Sequence, residues 1–177
     1  MNERILRIID TAVWKIRRNK VNIKSMHLIR LDTEVIVREN GQMLIGTDVK
    51  THKHVSLAAV GGLLKIGDNV FFNRNCIVAC RKEIIIGDRC AFGPNVVIYD
   101  HDHKFTTEGI KVNEFNTTPI IIGKNCWIGA NVTILRGTHI GEGCVIGAGT
   151  IIKGDIPPHS LVISGRELTI ESIKRKE

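Results

Sequence analysis

Two histidines, His101 and His103, stand one residue apart in the stretch YDHDHKFTTEGIKVNEFNTTP at 99–119. An imidazole titrates near working pH, so either side chain is suited to take a proton from an attacking hydroxyl as a bond forms. In isolation each reads equally as a solvated loop histidine. Trp127 is a second candidate, because a large indole breaks a run of small residues there. The five cysteines, Cys76, Cys80, Cys90, Cys126 and Cys144, are a third, as metal ligands or a disulfide framework.

The elements that must position these residues follow from a six-residue beat. Ile86, Phe92 and Ile98 are spaced by six, and the beat resumes at Ile122, Ile128, Ile134, Ile140, Ile146 and Ile152. It extends backwards through Ile66, Phe72 and Val78 and through Ile45, Thr51 and Leu57, so 14 of 15 beat positions are aliphatic or Phe. A period of six fits neither an amphipathic helix nor a simple alternating strand, and stacked coils satisfy it directly. Three steps make an 18-residue coil with three short strands. The expected fold is an all-β parallel β-helix of about five coils. The segment 99–119 interrupts it as one extruded loop, the kind of excursion that carries function.

A second register lies four residues after each beat, and β-branched and small residues dominate it, as a narrow interior requires. Cys76, Cys90, Cys126 and Cys144 fall on it and Cys80 does not, so four cysteines read as buried packing more readily than as ligands. Lys82 and Asp102 are its exceptions, Lys82 beside a two-residue slip and Asp102 where the beat fails. Gly-Asp-Asn, Gly-Lys-Asn and Gly-Glu-Gly supply the turns, as residues that tolerate positive φ.

The length of 177 residues suits one domain, and 43% apolar with 5% aromatic content suits Ile and Val layers. No apolar run approaches the ~18–20 residues of a membrane span and no signal peptide opens the chain, so a cytoplasmic protein is expected. Residues 1–30 hold eight Lys or Arg against Glu3 and Asp10, which is +6 of the net +7. Nucleic-acid binding is not expected, since the repeat region is near neutral and the basic segment lacks interleaved aromatics. Ile5, Leu6, Ile9, Ala12, Val13 and Ile16 make one apolar stripe, so 3–18 reads as a short basic α-helix. Such a helix either packs on the β-helix or a neighbouring subunit, or rests peripherally on the inner face of an anionic membrane. The expected division is 1–30 helix and lead-in, 31–165 β-helix and 166–177 charged tail.

The stretch PIIIGKNCWIGANVTILRGTHIGEGCVIGAGTIIKGDIPPHS at 119–160 resembles the hexapeptide-repeat acyltransferases, in particular the maltose and galactoside O-acetyltransferases and their polysaccharide-modifying relatives. The resemblance covers about 45–165. It implies a left-handed coil, although parallel crossovers are generally right-handed. It also implies a homotrimer with active sites between subunits, acetyl-CoA as donor and a carbohydrate acceptor. Relatives carry the general base in a frame reading Ile-Tyr-x-x-x-His, which selects His103 over His101; the distance from His103 to Pro119 agrees. By the same resemblance Asn73 holds the acceptor hydroxyl, with an ordinary turn residue as the equal alternative. Trp127 lies near the thioester, Ala130 and Ala148 line the pantetheine arm, and Lys153 meets a CoA phosphate. Lys153-Gly154 and Gly165-Arg166-Glu167-Leu168 depart from the family pattern at the nucleotide end of that site.

The expectation is therefore an acetyl-CoA-dependent O-acetyltransferase acting on a sugar hydroxyl of a surface polysaccharide or its precursor, with no metal. Its alternatives are an amino sugar, serine or antibiotic acceptor, a non-catalytic scaffold that binds CoA, and a β-helix zinc carbonic anhydrase. The last needs three converging histidines, and His52 and His54 fall one and three places after Thr51, pointing outward and away from the loop.

Overall fold

The computed structural model describes residues 21–23 and 29–165. The helix expected over 3–18 and the tail 166–177 lie outside the described residues. Those described are all β. Three parallel sheets run along the axis of a triangular coil. Face A stacks Gln42–Ile45, Leu63–Ile66, Glu83–Ile86, Ile120–Ile122, His139–Ile140 and Asp155–Ile156, with Val21–Ile23 paired to its first strand. Face B stacks Lys50–Thr51, Phe71–Phe72, Ala91–Phe92, Trp127–Ile128, Val145–Ile146 and Leu161–Val162. Face C stacks Glu34–Arg38, Ser56–Val60, Ile77–Cys80, Val97–Tyr99, Thr133–Leu135 and Ile151–Ile152. The solenoid has about six turns, not five. The additional pairing comes from Glu34–Arg38 before the first beat and from Asp155–Val162 after the last, where the sequence rhythm is weak.

Strict vertical registry explains why the beat repeats. Ile84, Ile85 and Ile86 pair with Ile120, Ile121 and Ile122, and Ala91 and Phe92 with Trp127 and Ile128. Like therefore sits on like: Phe72 and Phe92 stack inside the coil with centroids 4.8 Å apart and planes 9° from parallel. All 15 beat side chains are buried, Thr51 being the most exposed at 5%. Thr51, the one polar beat, shares a 2.7 Å hydroxyl hydrogen bond with Thr33 and accepts the Arg30 N–H, so its burial leaves no unsatisfied hydroxyl.

The second register is inward at two corners, and at the third it is inward only where no residues are inserted, as at Thr138. Between faces A and B it buries Val49, Val70, Cys90, Cys126 and Cys144; between B and C it buries Val55, Cys76, Val96, Val132 and Thr150. At the corner between C and A, however, Gly61, Lys82 and Asp102 are exposed, and Ala59, Cys80 and Asp100 point inside instead. Each of these residues lies two places after a face C beat, and the two-residue alternation of extended chain turns it inward. Cys80 is therefore buried, as are all five cysteines, and none is in a disulfide.

The glycines after the beat serve close approach more than φ. A Cβ on Gly123 would come within 2.6 Å of the Glu142 backbone nitrogen and 2.7 Å of the Gly141 carbonyl carbon, and Gly87 faces Gly123-Lys124 in the same way. The left-handed residue is the third of each turn: Asn69, Arg89, Asn125 and Gly143 have φ between 56° and 68°. Gly123→Ala is expected to destabilise the chain by about 1–3 kcal/mol, because backbone cannot move aside as a side chain does. Urea unfolding measures it, and a loss below about 0.5 kcal/mol, the range of neutral surface changes, would refute the close-approach account.

Candidate active site

After Tyr99 the chain leaves the coil as an antiparallel hairpin, His101–Thr106 paired with Gly109–Thr117, and re-enters at Pro119. The segment expected as an irregular loop is thus an ordered two-stranded arm. His101, His103 and Phe115 share one face of it: His103 is directly opposite Phe115, and His101 is two residues along the strand. Asp102 points the other way and pairs with Arg136, tying the arm to the next coil. A register shift follows His103.

The root of the arm holds a residue the sequence reading passed over. Asp100 is fully buried in the column above Ala59 and Cys80. Its carboxylate accepts three consecutive backbone N–H groups, from Arg81 at 2.8 Å, Lys82 at 2.7 Å and Glu83 at 2.9 Å. The Cys80 thiol donates to it at 3.4 Å, and Nδ1 of His101 lies 3.0 Å from Oδ1. Burial pushes this carboxyl upward, but the hydrogen bonds from His101, from the Arg81 and Lys82 amides and from Cys80 outweigh it and hold the group below the ordinary carboxylate value. Asp100 is therefore a carboxylate at neutral pH, and it accepts the Nδ1–H of His101. The available signal was an acid two places after Ile98, in the interior phase set by Ala59 and Cys80.

His101 is mostly buried, its side chain 16% exposed, whereas His103 is exposed. The His101 ring meets Tyr99 and Phe115 edge-on, and the His103 ring lies 4.5 Å from Phe115. The Arg81 guanidinium stands 3.7 Å over the same phenyl ring.

The remaining predicted residues lie elsewhere on the triangle. Trp127 projects from face B, 59% exposed, in vertical register with Ala91 and Val145. Ala130 and Ala148 stack in the corner between B and C, where a Cβ on Gly129 would touch the Ala148 nitrogen at 2.7 Å. Asn73 belongs to the same corner on an earlier coil, and its side-chain oxygen accepts the Arg74 N–H at 2.8 Å, as a turn residue does. Lys153 is exposed after the face C strand Ile151–Ile152. One copy of the chain therefore brings Ala130 and Ala148 together but sends His101 and His103 out from a different corner. His52 touches Phe71 and Arg74, His54 is exposed, and among the described residues no three His, Cys, Asp or Glu side chains group as metal ligands.

Residues 64–100 and 119–153, either side of the hairpin, match the model of the hexapeptide repeat of succinyl-transferase. The chain is built on the hexapeptide repeat. It is 39% identical over 99 residues to the galactoside O-acetyltransferase of Escherichia coli, covering 56% of this chain and 49% of that one. A protein of the same organism that carries the name of a lipopolysaccharide-biosynthesis O-acetyl transferase is 29% identical, with 71% and 69% covered. Among solved structures, a hexapeptide-repeat-containing acetyltransferase of Vibrio cholerae superimposes with a TM-score of 0.54 at 25% identity, over 85% of this chain and 73% of that one. That protein has also been solved with acetyl coenzyme A. These relatives are left-handed β-helices, and the hexapeptide-repeat chain winds in the same hand. It spans about half the length of the curated relatives it matches.

Proposed function

We propose that this hexapeptide-repeat protein is an acetyl-CoA-dependent O-acetyltransferase that acetylates a sugar hydroxyl of a surface polysaccharide or its precursor. The observation that carries the reading is the hairpin, which lifts two histidines out of an otherwise unbroken coil. The galactoside and lipopolysaccharide relatives support a sugar acceptor, and the acetyl-CoA complex of the Vibrio protein supports the donor.

His103 is the general base in this proposal. Its neutral imidazole takes the proton of the acceptor hydroxyl as the oxygen attacks the thioester carbonyl. The new C–O bond forms, the C–S bond breaks, and the imidazolium returns the proton to the departing CoA thiolate. Asn73 orients the hydroxyl. Trp127 offers an exposed indole to the pantetheine arm, Ala130 and Ala148 leave the neighbouring corner free of bulk, and Lys153 meets a phosphate. Because the hairpin and the Trp127 face leave different sides of one chain, the site is completed by a neighbouring copy in a homotrimer. The basic segment 1–30 is the candidate for contact with the inner membrane face. Among the described residues no helix is long and apolar enough to cross a membrane.

The test is thiol release from acetyl-CoA across glycans, free sugars, amino sugars, serine and aminoglycoside antibiotics, with mass analysis of each product. An ester on a sugar hydroxyl is expected. Product from no hydroxyl acceptor would overturn the reading, and an amide product would move the acceptor to an amine.

A further inference from the structure

The root of the hairpin joins both histidines to one phenyl ring. Asp100, with no exposed surface, receives Nδ1–H of His101 at 3.0 Å. The His101 ring stands edge-on to Phe115, centroids 5.5 Å apart and planes at 82°. Phe115 in turn carries the His103 ring at 4.5 Å and lies under the Arg81 guanidinium at 3.7 Å. Arg81 itself is tied back to Asp100, which accepts its backbone N–H, and its side chain pairs with Glu39 at 3.6 Å.

This is a chain of contacts that starts in the rigid interior and ends on an exposed imidazole. An exposed histidine on a protruding strand otherwise samples several rotamers. A base must be oriented as well as present, and a displacement of about 1 Å in a reacting group costs on the order of a hundredfold in rate. A phenyl ring fixed on two sides offers the His103 imidazole a surface to rest on, at a centroid distance of 4.5 Å that is within contact range for aromatic pairs.

We propose that Asp100, His101 and Phe115 are positioning residues for His103, with His101 acting through Phe115 and not as a second base. This rests on His103 being the base of the proposed reaction. It gives the DHDH sequence a division of labour: the first histidine is held by the acid before it, and the second is left free to meet substrate.

Two measurements on the full chain test it. The first is the His103 Cε1–H resonance by NMR, which needs no acceptor. His101→Asn and Phe115→Leu are each expected to shift it and to abolish its ring-current displacement, while Phe115→Tyr restores it. Unchanged His103 resonances in both variants would overturn the proposal, whether or not any acetyl transfer is found. The second is a mutant cycle in kcat for thiol release from acetyl-CoA, with methyl β-galactoside and with water as acceptors. His101→Asn and Phe115→Leu are expected to lower kcat about 10–100-fold, with little change in KM. In a His103→Ala background they should lower the residual rate no further, because residues acting through one group are not additive. A merely structural role would multiply the two losses, and that result would also overturn the proposal. If His101→Asn abolishes transfer while His103→Ala retains it, the base itself is His101 and the proposed mechanism falls with it.

Discussion

Replacing His103 with alanine is expected to lower kcat for acetyl transfer by about 10²–10⁴-fold, the usual range for loss of a positioned general base. KM for acetyl-CoA should stay within about twofold, since a group that acts only as the hydroxyl attacks contributes to the transition state and not to donor binding. Stability should change by no more than about 0.5 kcal/mol, because the side chain is exposed and lies outside the core. Steady-state kinetics with a thermal unfolding control separates these effects. Turnover near that of the unaltered protein would remove His103 from the chemistry. A large rise in KM with constant kcat would recast it as a binding residue. The expectation depends on the hairpin being an ordered arm. A histidine on a disordered segment would contribute less, because each approach to the thioester would have to be found anew.

That order is the part of the site least legible in the sequence. The coil was readable because its constraint is local and periodic: every sixth residue meets a copy of itself one turn away, so Ile122, Ile128 and Ile134 announce their burial by spacing alone. Hairpin pairing is set between residues such as His103 and Phe115, twelve apart with a register shift between them, and no period marks it. The same limit explains why Lys82 and Asp102 were read as failed interior positions. The corner between faces C and A has a variable number of residues, and each insertion changes which residue points inward, so phase counted from the beat is lost there. Asp100 then hides in plain sequence as one of the two acids in DHDH. Its identity as an interior residue appears only when its coil is laid over Cys80 and Ala59. Trp127, Ala130 and Ala148 were legible as a motif, but their separation from the hairpin within one copy was not, because the beat gives no account of which corner faces which.

Asp100→Asn is expected to reduce stability at neutral pH by about 2–4 kcal/mol, and to lose this effect in acid. An amide of the same shape keeps one acceptor oxygen but turns an NH₂ group toward donors. The structure offers it three backbone N–H groups, a thiol and an imidazole Nδ1–H. At least one buried N–H is then left without an acceptor, at about 1–3 kcal/mol, and charge-assisted bonds of about 1.5–3 kcal/mol become neutral ones. The pH dependence follows from the direction of the Asp100 shift. Its carboxyl is held below the ordinary value of 3.8, despite burial, by His101, the corner amides and Cys80. A depressed carboxyl gives stability that is fully present above the unfolded value and is lost as pH falls through the lower folded one. The difference between the two proteins should thus be constant from neutral pH down to about pH 5, then narrow below about pH 4 as the native carboxylate takes up a proton. Urea midpoints collected from pH 7 to pH 2.5 give the curve directly. A difference that persists undiminished at the acid end would mean that Asp100 acts by shape and not by charge. The same carboxylate that anchors the coil corner would then have no electrostatic hold on His101, and the link from the interior to the proposed base would have to run through packing alone.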